Sequence, residues 1–426
     1  MITDFVEAFW QIPLAPQERK YFVIKYRGAY LVFLRTAQGS RGAPLSWAAI
    51  ASLIGRTTQS LYITNAGHEG RFTIYVDDPL LAMRGSKTRR RVLALRFIAC
   101  CIVLGLNLAF PKAQLGTEVL WIGVVLKIDQ DIIIAAIPTD KLEALADIIE
   151  KMLSMNLIPL KDVRSLAGKG SNIATLIFAW RPFLSQLWAA MSTVQTNAPP
   201  NTVWTRQIED SLTWMLAFIR QQRGTTQRVF KFNDTFGIAI DLVVTCDASI
   251  YGYGAWLSIN GKPASWFSDT IQESDEEVLG HKFGENTGQQ CFESMCLLLA
   301  CRTWSHLWRD KRYCFKLKMR SDNTGALAMV SRVKGSSPGM NAIAREFALD
   351  AAENSFEPNA VAHLPGITNT VADVLSRRLD PEHKKNWCVP EYLKHVERVI
   401  PSPRTDGWWR ARKAPSVANS QVGGGA

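Results

Sequence analysis

The feature that most constrains this 426-residue chain is a helix that cannot be left on a surface. From Cys291 to Trp308 apolar residues all but surround the helical circumference, the pattern of an element buried on every side. Glu293 stands near its head, and a carboxylate in such a setting needs a partner, because burying a charge without one is expensive. Either the helix N-terminus stabilises it through the dipole, or other groups meet it in the fold.

Strands and a further helix surround that element in sequence. Val243 to Ser249 is a strand that runs into Asp247, and Gly252, Gly254, Ala255 and Trp256 point to a turn into a second strand. Lys316 to Ser321 reads as a strand ending in Asp322-Asn323. After His363-Leu364-Pro365-Gly366, the run Ala372-Asp373-Val374-Leu375-Ser376-Arg377 places another acid on a helix. Asp269 to Gln290 is acidic and polar with three glycines, and is expected to form an exposed loop inserted in this domain.

A second acidic constellation lies near the N-terminus. Tyr75-Val76-Asp77-Asp78 sits between the apolar runs Phe72 to Ile74 and Pro79 to Met83, which predicts two adjacent carboxylates at a tight hairpin turn. Like charges so close raise one pKa, and a hard divalent cation is the natural compensator; an exposed acidic turn is the plainer alternative. Beyond the hairpin, Arg84, Lys87, Arg89, Arg90 and Arg91 crowd one segment, either to contact a nucleic-acid backbone or as a solvated face.

Composition narrows the classes. Hydrophobic residues make up 47% and charged residues 20%, with 14 Trp and 19 Phe, which excludes disorder over most of the length. A formal charge of +11 favours a polyanionic partner. The eight cysteines are irregularly spaced without any C-x-x-C, so neither a zinc site nor a disulfide framework is expected. No secretory signal is visible, and the most apolar window, Phe97 to Phe110, is short for a membrane span and reads as a buried helix. An intracellular, reducing location in cytoplasm or nucleus follows, with no membrane partner.

The length predicts several domains. Residues 1–130 read as α+β, 131–225 as mostly helical, with Thr139-Asp140 starting the helix Lys141 to Leu153, and 236–380 as a strand-and-helix domain after the polar break at Gln221 to Gln227. Residues 381–426, with several prolines, Trp408-Trp409, and the basic Arg410, Arg412 and Lys413, are expected to be a poorly ordered tail.

Asp4-Phe5-Val6-Glu7-Ala8-Phe9 with Gln11-Ile12-Pro13-Leu14, then Gln38-Gly39-Ser40-Arg41-Gly42-Ala43-Pro44, then Tyr75-Val76-Asp77-Asp78, resemble in this order the palm motifs of reverse transcriptases. Lys112 in Phe110-Pro111-Lys112 and Trp121-Ile122-Gly123 resemble later palm motifs, and Ser165 to Lys169 with Trp180 to Phe183 resemble thumb and connection segments. Asp247, Glu293, Asp322 and Asp373, with His363, Gly366, Asn369 and Leu375-Ser376-Arg377, resemble the ribonuclease H of retroelements.

The resemblance covers Met1 to Arg378 and implies a retrotransposon polyprotein fragment of α+β and α/β multidomain fold. Its parts would be a truncated palm with an antiparallel sheet and helices, a helical thumb or connection, and a ribonuclease H-like domain with a mixed five-stranded sheet. It implies Mg²⁺ or Mn²⁺, two ions at each site, on Asp4, Asp77 and Asp78 in the first and on the four later acids in the second. RNA template, DNA primer, RNA/DNA hybrid and dNTPs would be the partners. Phe9 would be an aromatic gate against the ribose 2′ hydroxyl or an ordinary core residue; Gln38, Gly39 and Lys112 would lie at the nucleotide. Lys169 would contact the backbone, and His363 would shuttle protons or be a packed surface histidine. The family's fingers segment is not represented, which argues for an impaired polymerase. The alternative is an inactive relic or a domesticated nucleic-acid-binding scaffold.

Overall fold

A computed structural model describes residues 1–64, 67–130, 132–192, 197–231, 240–309, 315–354, 360–405, 407–412 and 414. Lys413 and the end of the chain from 415 lie outside the described residues, as does 232–239 at the boundary expected before the second domain. The chain divides into two compact units, Met1–Gln130 and Asp131–Ala426, and it is a multidomain mixture of helices and small sheets.

Where an antiparallel palm sheet was expected, the first unit carries three separate two-stranded antiparallel sheets, β1 (Val23–Tyr26) with β2 (Ala29–Val32), β3 (Ile63–Thr64) with β4 (Gly67–His68) and β5 (Gly70–Tyr75) with β6 (Asp78–Met83), and a further antiparallel pair, β7 (Glu118–Trp121) with β8 (Val124–Asp129). The N-terminal segment does not widen the β5–β6 pair into a sheet, because Ile2 makes only isolated bridges to Leu80 and Gln114, and Phe5 to Leu108. Two helices, α1 (Ala43–Ser60) and α2 (Lys87–Val103), supply the core, in which Trp47, Ile54, Leu93 and Phe97 are buried with Phe5 and Phe72. The helix expected over Phe97 to Phe110 ends at Val103. Its last turn is not buried, with Ile102 70% and Val103 85% exposed, since the apolar run exceeds the one face that the core covers.

The second unit begins with β9 (Ile132–Ala136) and the helices α3 (Thr139–Leu153), α4 (Leu160–Leu176), α5 (Arg181–Ser192) and α6 (Thr205–Ile219). Two short strands, β10 (Leu157–Pro159) and β11 (Thr202–Trp204), pair between them, and β12 (Gln227–Lys231) returns to pair with β9. Apolar faces at helical spacing bury Leu145, Ile149, Leu166, Phe183, Leu212 and Phe218 among them.

A larger sheet follows, built from β13 (Ile240–Ser249), β14 (Gly252–Ile259), β15 (Lys262–Thr270), β16 (Phe315–Ser321), β17 (Ala360–His363) and β18 (Glu397–Arg398). Its order is β17-β16-β13-β14-β15-β18, with β13–β14–β15 antiparallel and the remaining pairs parallel. Helices α7 (Glu273–Leu279), α8 (Gln289–Thr303), α9 (Ser305–Arg309), α10 (Thr324–Arg332), α11 (Pro338–Asn354) and α12 (Thr370–Ser376) flank it. Every residue of α8 from Cys291 to Cys301 is buried, enclosed by β13 and β14 on one side and by α10 and α11 on others, as its all-round apolar character requires.

Two expectations are corrected here. The sheet has six strands, not five, because the segment expected to be a loose tail supplies β18: the Trp266 indole donates to the Val396 carbonyl, Val399 N–H to the Trp266 carbonyl, and Leu393 is fully buried. The expected exposed insertion carries α7, where Asp275 is fully buried. The two deviations have one cause. Arg404, its side chain 0% exposed, bridges Asp275 at 2.8 Å and Asp269 at 2.6 Å, while Arg410 pairs with Asp350 and Glu353, and Arg412 with Glu277. The basic residues at the end of the chain meet acids far back in sequence and are held by them.

Helix α12 lies so close to the sheet that only glycine fits beneath it. A Cβ on Gly254 would stand 2.4 Å from the Ser376 nitrogen and 2.5 Å from the Ala372 carbonyl. Gly254→Ala is therefore expected to cost on the order of 3 kcal/mol in chemical denaturation, with a raised far-UV signal change showing α12 displaced.

Candidate active site

Asp247 lies near the end of β13, Glu293 in the second turn of α8, and Asp322 directly after β16. Because β13 and β16 run parallel and side by side, their acids emerge at one edge, and α8 crosses behind them. One carboxylate oxygen from each of the three lies within 4.8 Å of the others, a grouping able to hold a metal ion. Asp247 and Glu293 are 5% and 4% exposed.

Neighbours aim these carboxylates. Ser376 Oγ donates to Asp247 Oδ2 at 2.7 Å. Gln289, one helical turn before Glu293, donates its amide to Glu293 Oε1 at 3.1 Å and to the Ala248 carbonyl at 2.5 Å. Asn369 Nδ2 donates to the Cys246 carbonyl at 3.1 Å and lies 3.4 Å from Asp322 Oδ1. Gly366 lets its turn approach, since a Cβ there would meet Asp322 Oδ2 at 3.2 Å. Ser376 and Asn369 fall inside motifs visible in the sequence, and the four-residue spacing of Gln289 from Glu293 was a signal available there; none stood out as a site residue before their contacts were known.

Asp373 is oriented otherwise. On α12 it is bound to Arg377 Nε at 2.7 Å, while still close enough to raise the Asp247 pKa. His363 ends β17 on the surface, its Nε2 3.0 Å from the Asp322 carbonyl.

Burial and the acids themselves raise pKa values within the cluster. Burial, then the charges of Asp322 and Asp373, push the Asp247 carboxyl up to about 7, against the opposing Ser376 hydrogen bond and Arg377. Burial, followed by Asp247 and Asp322, holds Glu293 well above the usual carboxylate range. An all-oxygen, anionic donor set suits a hard divalent ion such as Mg²⁺ or Mn²⁺.

A pH dependence follows. An acid whose pKa is raised on folding keeps its proton in the folded chain while the unfolded chain ionises, so stability falls as pH rises from the unfolded value toward the folded one. For Asp247 that window runs from 3.8 to about 7, and its share is on the order of 4 kcal/mol. In chelator, the melting temperature is expected to fall between pH 4 and pH 7, and millimolar Mg²⁺ or Mn²⁺ at pH 7 is expected to recover much of the loss.

In the first unit, Asp77 and Asp78 sit at the turn joining β5 and β6, where Val76 adopts φ +53°, a strained value for a β-branched residue. Two indoles pin the turn: Trp47 Nε1 donates to the Val76 carbonyl at 2.6 Å and Trp121 Nε1 to the Asp78 carbonyl at 3.2 Å. Phe5 N–H donates to the Asp77 carbonyl at 3.1 Å, which brings Asp4 alongside. Burial, Asp77 and Asp4 raise the Asp78 pKa, and Lys112 opposes them. Lys112 Nζ, expected at a nucleotide, is 2.5 Å from Asp4 Oδ2 and acts as its counter-ion.

The remaining sequence candidates are scattered. Phe9 packs on Trp47, ring centroids 6.3 Å apart, at the edge of the core. Gln38 and Gly39 are exposed just before α1. Arg89 forms a two-pronged pair with Glu69 at 2.9 and 2.6 Å, whereas Arg84, Lys87, Arg90 and Arg91 are exposed. In the second unit, Lys169 is exposed on α4. No helix among the described residues is long and apolar enough to cross a membrane.

No protein-family model matches the chain, and no curated protein sequence matches it. Among solved structures it is similar to a foamy viral protease-reverse transcriptase in complex with double-stranded DNA, at 15% identity and a TM-score of 0.45, covering 85% of this chain and 56% of that one. The same kind of protein in complex with an RNA/DNA hybrid is similar at 14% identity and a TM-score of 0.43, covering 95% and 45%. A third, with double-stranded DNA, is similar at 18% and 0.42, covering 76% and 59%. The chain thus spans about half the length of these proteins.

Proposed function

We propose that the second unit contains a metal-dependent ribonuclease domain acting on the RNA strand of an RNA/DNA hybrid, and that the first is a reverse-transcriptase palm, both from a retroelement polyprotein. The assignment divides the chain into palm (1–130), thumb or connection (131–225) and ribonuclease H-like domain (236–380). The observation that carries it is the convergence of Asp247, Glu293 and Asp322 within 4.8 Å at one edge of a mixed sheet.

Asp247, Glu293 and Asp322 would hold Mg²⁺ or Mn²⁺, with Asp373 joining once released from Arg377. The two bound ions would activate water and stabilise the leaving oxygen. The chain's own residues do the rest. Ser376 and Gln289 fix the directions of the Asp247 and Glu293 carboxylates, so that they need not reorganise when a cation arrives. His363 Nε2 is engaged at the Asp322 carbonyl, leaving Nδ1 to exchange a proton with solvent beside the site. In the first unit Asp4, Asp77 and Asp78 would form the corresponding polymerase site, with Lys112 yielding Asp4 to a cation; RNA template, DNA primer and dNTPs are its proposed partners.

The purified chain is incubated with Mg²⁺ or Mn²⁺ and a labelled hybrid, beside Asp322→Asn. Metal-dependent cleavage of the RNA strand by the wild type and none by the variant is the expected result; no cleavage by folded wild-type protein overturns the reading. Primer extension, lost in Asp77→Asn, tests the palm separately.

A further inference from the structure

The β1–β2 hairpin of the first unit is held at its root and bare along its length. Leu14 N–H donates to the Leu34 carbonyl at 3.0 Å, Thr36 N–H to the Ile12 carbonyl at 2.9 Å, and Trp10 stacks on Phe33 with ring centroids 5.5 Å apart. Beyond that root both faces are open. Val23 pairs with Val32 and Lys25 with Tyr30 on one face, Ile24 with Leu31 and Tyr26 with Ala29 on the other, and all eight residues are exposed. A two-stranded ribbon has no core of its own, and apolar side chains left in water on both its faces mark a surface that is covered in use.

The chemistry of the ribbon selects what covers it. Tyr21, Tyr26 and Tyr30 are 76%, 55% and 72% exposed, and each ring has a cation over it: Lys20 Nζ at 5.0 Å, the Arg27 guanidinium at 5.2 Å and Lys25 Nζ at 5.8 Å, respectively. Among the described residues none of these three cations forms an ion pair. Across residues 16–35, Arg19, Lys20, Lys25, Arg27 and Arg35 stand against the single acid Glu18. At the tip Arg27 and Gly28 take φ +47° and +85°. Asparagine or glycine fits the first of these turn positions more easily, so a cation is kept there against backbone preference.

A second copy of the ribbon docked on the first would bring like charges together, the device by which exposed strands avoid one another. A polyanion that also offers flat apolar faces satisfies both the rings and the cations. Bases stack on exposed aromatic rings while cations follow the phosphates, the combination that binds single strands without sequence preference. A duplex keeps its bases stacked inside, so only an unpaired strand can use the rings.

We propose that residues 20–30 form a binding ribbon for single-stranded nucleic acid, with Tyr21, Tyr26 and Tyr30 as stacking platforms and Lys20, Lys25 and Arg27 at the phosphates. The ribbon rests on the palm reading of this unit in giving it a contact for an unpaired strand, but it does not require polymerase chemistry. The full chain is titrated in chelator, across a salt series, with labelled oligo(U), oligo(dT) and a blunt DNA duplex. Tyr26→Leu/Tyr30→Leu keeps apolar bulk and charge but removes two rings, Tyr26→Trp/Tyr30→Trp keeps flat faces, and Lys25→Gln/Arg27→Gln removes two cations. Lys262→Gln/Lys282→Gln, exposed in the second unit, is the charge control.

Tyr26→Leu/Tyr30→Leu is expected to bind both single strands about tenfold or more weakly, with duplex affinity and salt slope kept, while Tyr26→Trp/Tyr30→Trp stays close to wild type. Lys25→Gln/Arg27→Gln is expected to lower the slope of log affinity against log salt by about 1.4, at roughly 0.7 for each phosphate, with the control close to wild type. Wild-type affinity in Tyr26→Leu/Tyr30→Leu overturns the ribbon, as does equal weakening for the duplex or equal weakening by the control. Hydrogen exchange tests the unaltered protein: amides of β1 and β2 are expected to slow when oligo(U) is added, and unchanged exchange there overturns the proposal. A wild-type dimer that Tyr26→Leu/Tyr30→Leu dissolves, with strand affinity unchanged, assigns the surface to a second copy and also overturns it. Ring-dependent strand binding without primer extension sinks the polymerase reading and leaves the ribbon standing.

Discussion

Glu293→Gln is expected to abolish metal-dependent hydrolysis of a hybrid while making the metal-free protein more stable. Perturbing even a residue that only orients a metal ligand costs roughly 10- to 100-fold in affinity or activity, so replacing a ligand carboxylate is expected to cost at least about 100-fold. Stability moves the other way. Glu293 is buried on an apolar helix beside Asp247 and Asp322, and all three influences hold its pKa far above the ordinary range. Glutamine keeps the shape and the hydrogen-bonding reach to Gln289 and Ser321 without a charge to desolvate. In chelator at pH 8 the variant should melt higher than the wild type; in Mg²⁺ the order should narrow or reverse, since only the wild type gains from the ion. A variant that is both less active and less stable in chelator would identify Glu293 as a packing residue and remove it from the site.

Arg404→Met is the substitution expected to damage the fold most. It strands Asp275, which has no exposed surface, and frees Asp269, with the backbone carbonyl of Thr270 also losing its donor. Burial already pushes the Asp275 carboxyl up to about 6 against the pull of Arg404. Removing one partner of a buried pair costs about 3–5 kcal/mol, here a fall in melting temperature on the order of 10 °C. Replacing the stranded acid as well, in Arg404→Met/Asp275→Leu, should return most of the stability, because the penalty belongs to the unpaired charge. A single variant that melts within a degree or two of wild type would show that the segment following β18 is not anchored there.

The two experiments separate what holds the site from what holds the fold. Both depend on residues distant in sequence: Ser376 reaches back to Asp247 across 129 positions, and Arg404 to Asp275 across 129.

Much of this was legible from the chain alone. The all-round apolar helix containing Glu293, the strands ending in Asp247 and Asp322, and the hairpin turn at Asp77-Asp78 follow from hydrophobic period and turn chemistry, which act within a few residues and are written locally. From the residues themselves only Glu293 in its apolar run and the Asp77-Asp78 pair stood out; Asp4, Asp247, Asp322 and Asp373 became candidates through the resemblance of their motifs to the palm and ribonuclease H families. What sequence could not convey was mutual arrangement. It treated Asp373 as a fourth equal of the cluster, whereas Arg377, one helical turn away, holds it. It placed Lys112 at a nucleotide, whereas in the fold it neutralises Asp4. It took Asp269 to Gln290 for an exposed loop and counted the segment around β18 and Arg404 in a loose tail, because neither shows a periodic pattern when considered by itself. Opposite charges more than a hundred residues apart leave no periodic trace, and only tertiary structure brings them close enough to compensate one another, bury Arg404 and add a sixth strand to the sheet.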